Sequence, residues 1–335
     1  MGFVMKFLVI GLGSMGKRRI RNLLALGQND IAGFDPRKDR RDEVSKKFNI
    51  LTFEDYESSI NNFKPEVLII STSPSLHMEY AIPAAKKGLH CFIEASVVDV
   101  ENIKKLSQLV DGSSAVVCPS CTMRYHPMPV IIRNLLSSNL IGKPLNINYS
   151  TGQYLPDWHP WEDINDFYVS QKETGGAREI VPFELTWLNE IFGNPIPLAC
   201  ASTKISDINA DIDDIYHFIL HYPENILASI TIEVISRPRA TRNLSILGSE
   251  GKILFSSDEG FIKYIKVGDK DWTQISIESG TLEPGYINPE EPYINELKDF
   301  LQALDSGNRF DFPNTLEKDI EVLELLNYIE KLNTI

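Results

Sequence analysis

Short apolar runs alternate with helical spacings through the first third of the chain. The first run, Phe7–Ile10, is followed by a glycine loop and then by apolar residues at helical spacing up to Gly27. Strands and helices that take turns in this way are typical of a parallel sheet with helices on both faces. The other strands predicted here are Ile31–Phe34, Val67–Ile70, His90–Ile93 and Ala115–Cys118, and the other helices are 75–88, which Ser75 is expected to cap, and 100–110.

The pattern changes near residue 120, where polar and apolar residues begin to alternate over longer segments. Leu145–Gln153 has the alternation of a half-buried strand. One helix, Phe183–Phe192, interrupts these strands and ends at Gly193. Long strands without helices between them predict a largely antiparallel or mixed sheet. The other predicted strands are 215–222, 227–234 and 242–247, the closing helices are 293–304 and 316–332, and residues 256–292 are expected to form surface loops.

The two patterns together predict an α/β protein with two domains. A chain of 335 residues is long enough for two domains of ordinary size. We expect residues 1–122 to form a domain with a doubly wound parallel sheet. Residues 123–335 are expected to form an α+β domain with a large, mostly antiparallel sheet, which the helices within 293–332 close.

Charge is distributed unevenly between these two parts. Residues 1–122 contain 16 Lys and Arg against 14 Asp and Glu, whereas residues 123–335 contain 17 against 32. Such an acidic surface repels phosphate backbones and anionic lipids, so we expect neither nucleic acid nor a membrane as a partner. The apolar N-terminal stretch lacks the basic flank and cleavage site of a signal peptide, which predicts a cytoplasmic protein with reduced cysteines. Cys118 and Cys121 lack a second ligand pair, so no metal site is predicted.

A glycine-rich loop follows the first predicted strand. Gly11, Gly13 and Gly16 fit the spacing G-x-G-x-x-G, and Asp35 ends the next strand 19 residues after Gly16. A strand before this loop, a helix after it and an acid at this distance are the context of a dinucleotide-binding Rossmann domain. Asp35 is suited to the ribose diol of NAD, whereas Arg37 and the neighbouring lysine keep NADP possible.

Six further segments match the motifs of one known family. They are residues 70–77, 87–94, 123–127, 152–160, 175–193 and 246–251. With these motifs the chain resembles the family of glucose–fructose oxidoreductases, inositol dehydrogenases and MocA-type proteins, which are NAD(P)-dependent oxidoreductases. The resemblance covers nearly the whole chain, and residues 152–160 are similar to the sugar-handling branch.

The resemblance implies that the cofactor is bound by loops at the ends of the first domain's strands. It also implies a cofactor contact at the crossing into the second domain. The cofactor-binding residues predicted in this way are Gly11, Gly13, Ser14, Met15, Gly16, Asp35, Arg37, Ser71, Thr72, Ser73, Pro74, His77, Glu94, Ala95 and Arg124.

Two positions depart from the family at its catalytic residues. The family's Glu-Lys-Pro reads Glu94-Ala95-Ser96 here, so alanine replaces the lysine that helps to move the hydroxyl proton. The family's catalytic histidine aligns with Phe183. The loss of both would leave a slow enzyme unless another acid–base group serves, because a positioned base contributes about 10²- to 10⁴-fold in rate. The candidates are Glu94, Tyr154, His159, Glu179 and Glu184, and Trp158 and Trp161 are candidates for stacking on a sugar.

We therefore expect an oxidoreductase that transfers hydride between NAD, with NADP possible, and a hydroxyl-bearing carbon of a sugar or nucleotide sugar. Two alternatives remain open at this stage. One is a catalytically silent relative that binds a dinucleotide and a sugar, and the other is an enzyme with a tightly held cofactor and a non-standard reaction. The resemblance also implies a homodimer or a homotetramer.

Overall fold

The computed structural model describes residues 5–158, 163–278, 280–286 and 288–335. The chain divides into two compact units, one of residues 1–122 and 280–321 and one of residues 123–279 and 322–335. The predicted second domain ran without a break from 123 to 335. The structure instead groups residues 280–321 with the first unit.

The first unit is built on a six-stranded sheet in which every paired neighbour is parallel. The spatial order is β3-β2-β1-β4-β5-β6, so the predicted doubly wound parallel sheet is confirmed. All residues of β1, β2 and β4 are buried, as expected for strands covered on both faces. The strands are β1 Phe7–Ile10, β2 Ile31–Phe34, β3 Leu51–Phe53, β4 Val67–Ile70, β5 His90–Ile93 and β6 Val117–Pro119.

Five helices alternate with these strands, and the segment between β2 and β4 holds elements that the sequence pattern did not predict. Helix α2 buries only Val44, so it lacks the apolar periodicity that marks a helix in the sequence. The fourth helix begins at His77 after a short 3₁₀ turn, and Ser75 does not cap it. The helices are α1 Ser14–Ala25, α2 Lys38–Phe48, α3 Tyr56–Phe63, α4 His77–Lys86 and α5 Val100–Val110.

The second unit contains an eight-stranded sheet in the order β14-β13-β12-β11-β7-β10-β9-β8. Among the strands of this sheet that the structure describes, only β7 and β10 pair in parallel, which confirms a mixed and mostly antiparallel sheet. The expectation of loops throughout 256–292 was wrong, because two short strands lie there, one of alternating apolar and lysine residues and one largely polar. The strands are β7 Pro144–Gly152, β8 Ile196–Thr203, β9 Ile215–Tyr222, β10 Ile226–Glu233, β11 Thr241–Gly248, β12 Gly251–Ser256, β13 Phe261–Lys266 and β14 Thr273–Ser276.

Two helices of the second unit are α6 Pro127–Ser137 and α7 Gly176–Phe192, and α7 begins well before the predicted start at Phe183. Its entry depends on two glycines. A Cβ on Gly175 would lie 2.0 Å from the Val169 carbonyl oxygen, and Gly176 has a φ of +61°. Pro182 sits inside the helix, where it removes one N–H donor, and its buried position indicates that tertiary packing holds the helix.

The last two helices are α8 Glu291–Ser306 and α9 Leu316–Lys331, and α8 packs on α1. The contacts of α8 with the first unit explain why residues 280–321 belong to that unit. Arg18 of α1 is buried and donates to Glu290 at 3.0 Å, and Phe300 packs edge-on against Phe92 of β5 at 5.3 Å. A buried guanidinium needs a carboxylate partner. Among the described residues, no helix is long and apolar enough to cross a membrane.

Candidate functional site

The first unit has a topological switch point between β1 and β4. Strands β2 and β3 extend the sheet on one side of β1, while β4, β5 and β6 extend it on the other. The loops that follow β1 and β4 meet there, since the Ser71 N–H donates to the Ile10 carbonyl at 2.8 Å. In open α/β sheets, ligands bind outside the carboxyl ends of strands at such a point.

The three glycines of the loop after β1 have distinct environments. Gly11 has a φ of +84°, and a Cβ there would lie 2.7 Å from the Ser71 carbonyl oxygen. A Cβ on Gly16 would lie 1.8 Å from the Gly11 carbonyl oxygen, so only glycine permits this approach of helix and loop. A Cβ on Gly13 would have more room, because its nearest neighbour, Arg40 Nη1, would lie 3.6 Å away. This open position precedes α1, whose first turn holds Ser14, Met15 and Gly16.

No side chain caps the N-terminus of α1, and its first turn contains no acidic residue. The first N–H groups of a helix lack intrahelical acceptors, and the helix dipole favours an anion near them. The loop and this helix end together can therefore cradle a pyrophosphate.

Asp35 is 2% exposed at the end of β2. Its Oδ2 accepts from the Leu12 N–H at 2.8 Å, and its Oδ1 accepts from the Arg37 N–H at 2.8 Å. These two backbone donors fix the orientation of the carboxylate. Each oxygen retains a further lone pair, which a ribose hydroxyl can use.

Arg40, which sequence reasoning missed, places a cation beside the Asp35 carboxylate. Its Nη1 lies 3.7 Å from Asp35 Oδ2. The predicted Arg37 side chain instead forms an exposed pair with Asp39 at 2.6 Å, and hydrogen bonding from that arginine lowers the pKa of Asp39 to about 2. Arg37 immediately precedes α2, and Arg40 lies in its first turn, three residues later. A helix predicted to begin at Lys38 would therefore have indicated Arg40 as a second candidate on the same side as Arg37.

The loop after β4 is held by a neutral histidine. His77 is 2% exposed, and its Nε2 lies 3.1 Å from the Thr72 carbonyl oxygen, to which it donates. Burial lowers the pKa of His77 to about 4. Ser73 precedes a 3₁₀ turn that begins at Pro74, so the predicted residues 71–74 form one short turn closed by His77. His77 thus shapes the loop at the switch point.

Glu94 lies at the end of β5 and is held by Arg19. The guanidinium of Arg19 donates to both Glu94 oxygens, at 2.6 and 2.9 Å, and Ser71 Oγ donates to Oε1 at 3.2 Å. Arg19 is fully buried and also lies 2.9 Å from a Glu296 oxygen. Burial lowers the pKa of Arg19, but the two carboxylates more than offset this, so the pKa is raised. Half-buried Ala95 follows directly.

In the second unit, Glu184 occupies a buried polar network that the sequence did not reveal. Glu184 is 0% exposed and accepts from Tyr149 Oη at 2.6 Å, Trp187 Nε1 at 2.7 Å and Arg242 Nη1 at 2.8 Å. The network joins α7 to β7 and β11. His126, the N-cap of α6, is neutral beside it, because burial and the charge of Arg242 lower its pKa to about 4.

Glu179 differs from Glu184, although both lie on α7. Its Oε1 accepts from Tyr168 Oη at 2.6 Å, while its Oε2 is shielded from solvent and has no hydrogen-bond partner among the described residues. Burial raises the pKa of Glu179 to about 7. The neighbouring Arg178 does not neutralise it, because Arg178 donates to Glu330 at 2.6 Å. Glu179 is therefore a carboxyl group that titrates near neutral pH.

The remaining predicted residues also lie in the second unit. Tyr154 follows β7, pairs with Ile235 and lies under the guanidinium of Arg237, 3.5 Å from its ring centroid. The buried Trp158 Nε1 has no acceptor within the described part of the chain. Arg124 is ion-paired with Glu190. His159 and Trp161 lie outside the described residues.

Solved structures share this fold over almost the whole chain. An oxidoreductase from Agrobacterium radiobacter in complex with NAD+, L-tartaric acid and magnesium is 14% identical, with a TM-score of 0.84, and the match covers 98% of this chain and 96% of that one. A levoglucosan dehydrogenase in complex with NADH and levoglucosan is 17% identical, with a TM-score of 0.82 and the same coverage. An inositol dehydrogenase homolog from Azotobacter vinelandii in complex with NAD+ is 13% identical, with a TM-score of 0.80 and again the same coverage.

Sequence comparison defines the family. No curated protein matches the chain. A model of the GFO/IDH/MocA oxidoreductase family, described by its NAD-binding Rossmann fold, matches residues 5–120, and a model of the GFO/IDH/MocA C-terminal domain matches residues 130–254. The matches cover the switch-point loops of the first unit and strands β7 to β11 of the second. The chain therefore belongs to the GFO/IDH/MocA family of oxidoreductases with an NAD-binding Rossmann fold.

Proposed function

We propose that the protein is a cytoplasmic NAD-dependent enzyme that transfers hydride between the cofactor and a hydroxyl-bearing carbon of a sugar or nucleotide sugar. The observation that carries this proposal is the glycine loop at the switch point, with the oriented carboxylate of Asp35 beside it. The shared fold of a levoglucosan dehydrogenase supports the sugar class.

The residues of the first unit fit a dinucleotide. The backbone at Gly13 and the uncapped start of α1 would hold the pyrophosphate, and Asp35 would accept from the adenosine ribose hydroxyls. The bound nicotinamide would supply the hydride acceptor or donor. The turn closed by His77 and the Arg19–Glu94 pair would keep the loops after β4 and β5 in place.

Glu179 is the best candidate for the acid–base group of this chain. Glu94 and Glu184 each have an arginine partner and at least one further hydrogen-bond donor, which favours a positioning role. Glu179 has one oxygen without a partner among the described residues and a pKa of about 7. A general base works best when its pKa lies near the working pH.

In alcohol oxidation, the Glu179 carboxylate would accept the hydroxyl proton while the carbon loses hydride. In the reverse direction, the protonated carboxyl would return that proton to the forming alcohol. Tyr168 would orient the carboxyl through its hydrogen bond to Oε1, leaving Oε2 for the substrate. Because the carboxylate form is the base, oxidation should become faster as the pH rises through about 7.

The test is Glu179→Gln. We expect it to lower kcat about 10²- to 10⁴-fold and to remove the rise in rate near pH 7, with NADH affinity unchanged. Glu173→Gln is the matched control, because Glu173 is an exposed acid just ahead of the same helix. Rates are read as NADH formation with levoglucosan, myo-inositol and UDP-glucose.

Three other results would contradict or replace the proposal. Equal rates for both variants would exclude Glu179 as the base. Tight NADH binding without turnover of any sugar would favour the catalytically silent relative. Failure of both NADH and NADPH to bind in a fluorescence titration would remove the dinucleotide proposal itself.

We further propose that the protein is a homodimer or homotetramer. The sheet face of the second unit that points away from its core carries Leu227 and Leu247, which flank Asn146 and are 43% and 47% exposed. Such side chains on a sheet face are suited to pairing with a second copy. Light scattering should give two or four times the mass of 37.9 kDa, and a monomer would contradict this.

A further inference from the structure

The segment after β10 is strongly basic within an otherwise acidic part of the chain. Residues 123–335 contain 32 Asp and Glu against 17 Lys and Arg, yet residues 234–242 contain three arginines and no acid. Arg242 is neutralised by Glu184 in the core. Arg237 and Arg239 are exposed, and neither forms an ion pair within the described ranges.

The acid that precedes this segment does not serve these two arginines. Glu233 accepts from the Ile235 N–H at 2.6 Å and from Ser236 Oγ. Its carboxylate therefore fixes the course of the chain out of β10. Glu233 therefore does not neutralise the charges of Arg237 and Arg239, which follow that turn.

Arg237 is held in a defined orientation. Its Cζ lies 3.5 Å from the ring centroid of Tyr154, so the guanidinium is stacked on the phenol ring. Tyr154 is half-buried and packs against the core, and its backbone pairs with Ile235. A stacked guanidinium has lost much of its rotational freedom, while its edge still presents N–H donors in the fork that matches a phosphate or a carboxylate.

The segment also lies at the carboxyl end of the parallel strand pair in the sheet. Strands β7 and β10 are the parallel pair, and both end next to it, at Gly152 and Glu233. Tyr154 comes from the loop after β7 and Arg237 from the loop after β10. The two loops therefore leave adjacent strands at the same end of the sheet, and the bridge between Tyr154 and Ile235 joins them.

We propose that Arg237 and Arg239 bind the anionic group of the substrate, so that the sugar carries a phosphate or a carboxylate. This inference rests on the proposed function, since it specifies the substrate of that enzyme. The phenol ring of Tyr154 serves as the support for Arg237. Neutral sugars, which offer no partner for the two arginines, are poor substrates.

The experiment measures the binding of four probes by calorimetry at low and at physiological salt. The probes are pyrophosphate, UDP-glucose, glucuronate and uncharged glucose, each titrated with and without saturating NADH. Arg237→Ala and Arg239→Ala are compared with Lys270→Ala, which removes an exposed charge in a turn of the same unit. Arg237→Lys keeps the charge but loses the planar fork.

We expect at least one anionic probe to bind about tenfold or more tightly than glucose, and its affinity to fall as salt rises. Arg237→Ala should remove this preference, Arg237→Lys should weaken it, and Lys270→Ala should leave it unchanged. NADH affinity should be the same in all variants. UDP-glucose binding without glucuronate binding would identify a nucleotide sugar, and the reverse would identify a sugar acid.

The proposal is overturned if none of the three anions binds, if glucose binds as tightly as they do, or if Arg237→Ala and Lys270→Ala behave alike. Circular dichroism verifies that each variant is folded. Loss of NADH binding in the unmodified protein would count against the dinucleotide proposal only, because the glucuronate titration and the comparison of Arg237→Ala with Lys270→Ala still report on the arginines.

Discussion

At the scale of single residues, the environment of a side chain separates groups that look equivalent in the sequence. Glu94, Glu179 and Glu184 are all acids in family-like segments. Arg19 and Arg242 hold two of them in ion pairs, whereas burial without a cationic partner raises the pKa of Glu179 to about 7. The environment of each carboxyl group is thus set by neighbours that are distant along the chain.

The same scale distinguishes the arginines near Asp35, the residue proposed to bind the adenosine ribose. We expect Arg40→Ala to weaken NADPH binding about tenfold and to change NADH binding little, because a 2′-phosphate forms charge-assisted hydrogen bonds with a guanidinium and a diol does not. Fluorescence titration measures both affinities. Arg37→Ala is the control, since Arg37 is occupied by Asp39 at the surface. Equal effects of the two variants on NADPH would contradict the role of Arg40.

At the scale of elements, the buried network around Glu184 fastens α7 to the sheet. Arg242→Ala should lower the free energy of unfolding by about 3–5 kcal/mol, because it leaves the Glu184 carboxylate buried without its cation. Adding Glu184→Gln to that variant should recover part of the loss. Urea titration measures both.

The matched control for this network is an ion pair at the surface. Lys263→Ala breaks the pair with Glu259, whose side chain is 41% exposed, and should cost at most about 1 kcal/mol. A loss for Arg242→Ala no larger than this control would show that the network does not hold α7 to the sheet.

At the scale of the whole molecule, the first unit is assembled from two separate stretches of the chain. Arg18, Arg21 and Asn22 of α1 all donate to Glu290, and Arg19 contacts Glu296. A chain ending at residue 122 should therefore melt at a clearly lower temperature than residues 1–122 joined to 280–321 by a flexible Gly/Ser linker. Differential scanning calorimetry measures both, and equal melting temperatures would contradict this assembly.

The sequence alone determined the elements whose cause is local. Runs such as Phe7–Ile10 and Val67–Ile70 are apolar throughout because both faces of a parallel sheet are buried, so they predict strands without further information. The glycine loop was equally predictable, because the positive φ of Gly11 and the close approach at Gly16 require glycine at fixed spacings.

Only the tertiary structure decided which residues meet across long separations. The partners of Arg19 are 75 residues away at Glu94 and still farther along at Glu296, and no periodicity links them. Three other features also depend on contacts between residues that are distant along the chain. They are the attachment of residues 280–321 to the first unit, the buried Glu184–Arg242 pair and the stacking of Arg237 on Tyr154. The periodicity of apolar residues shows which face of a segment is buried and which is exposed to solvent. It does not show which residue pairs with a buried charge, because that partner comes from whichever element the fold places beside it.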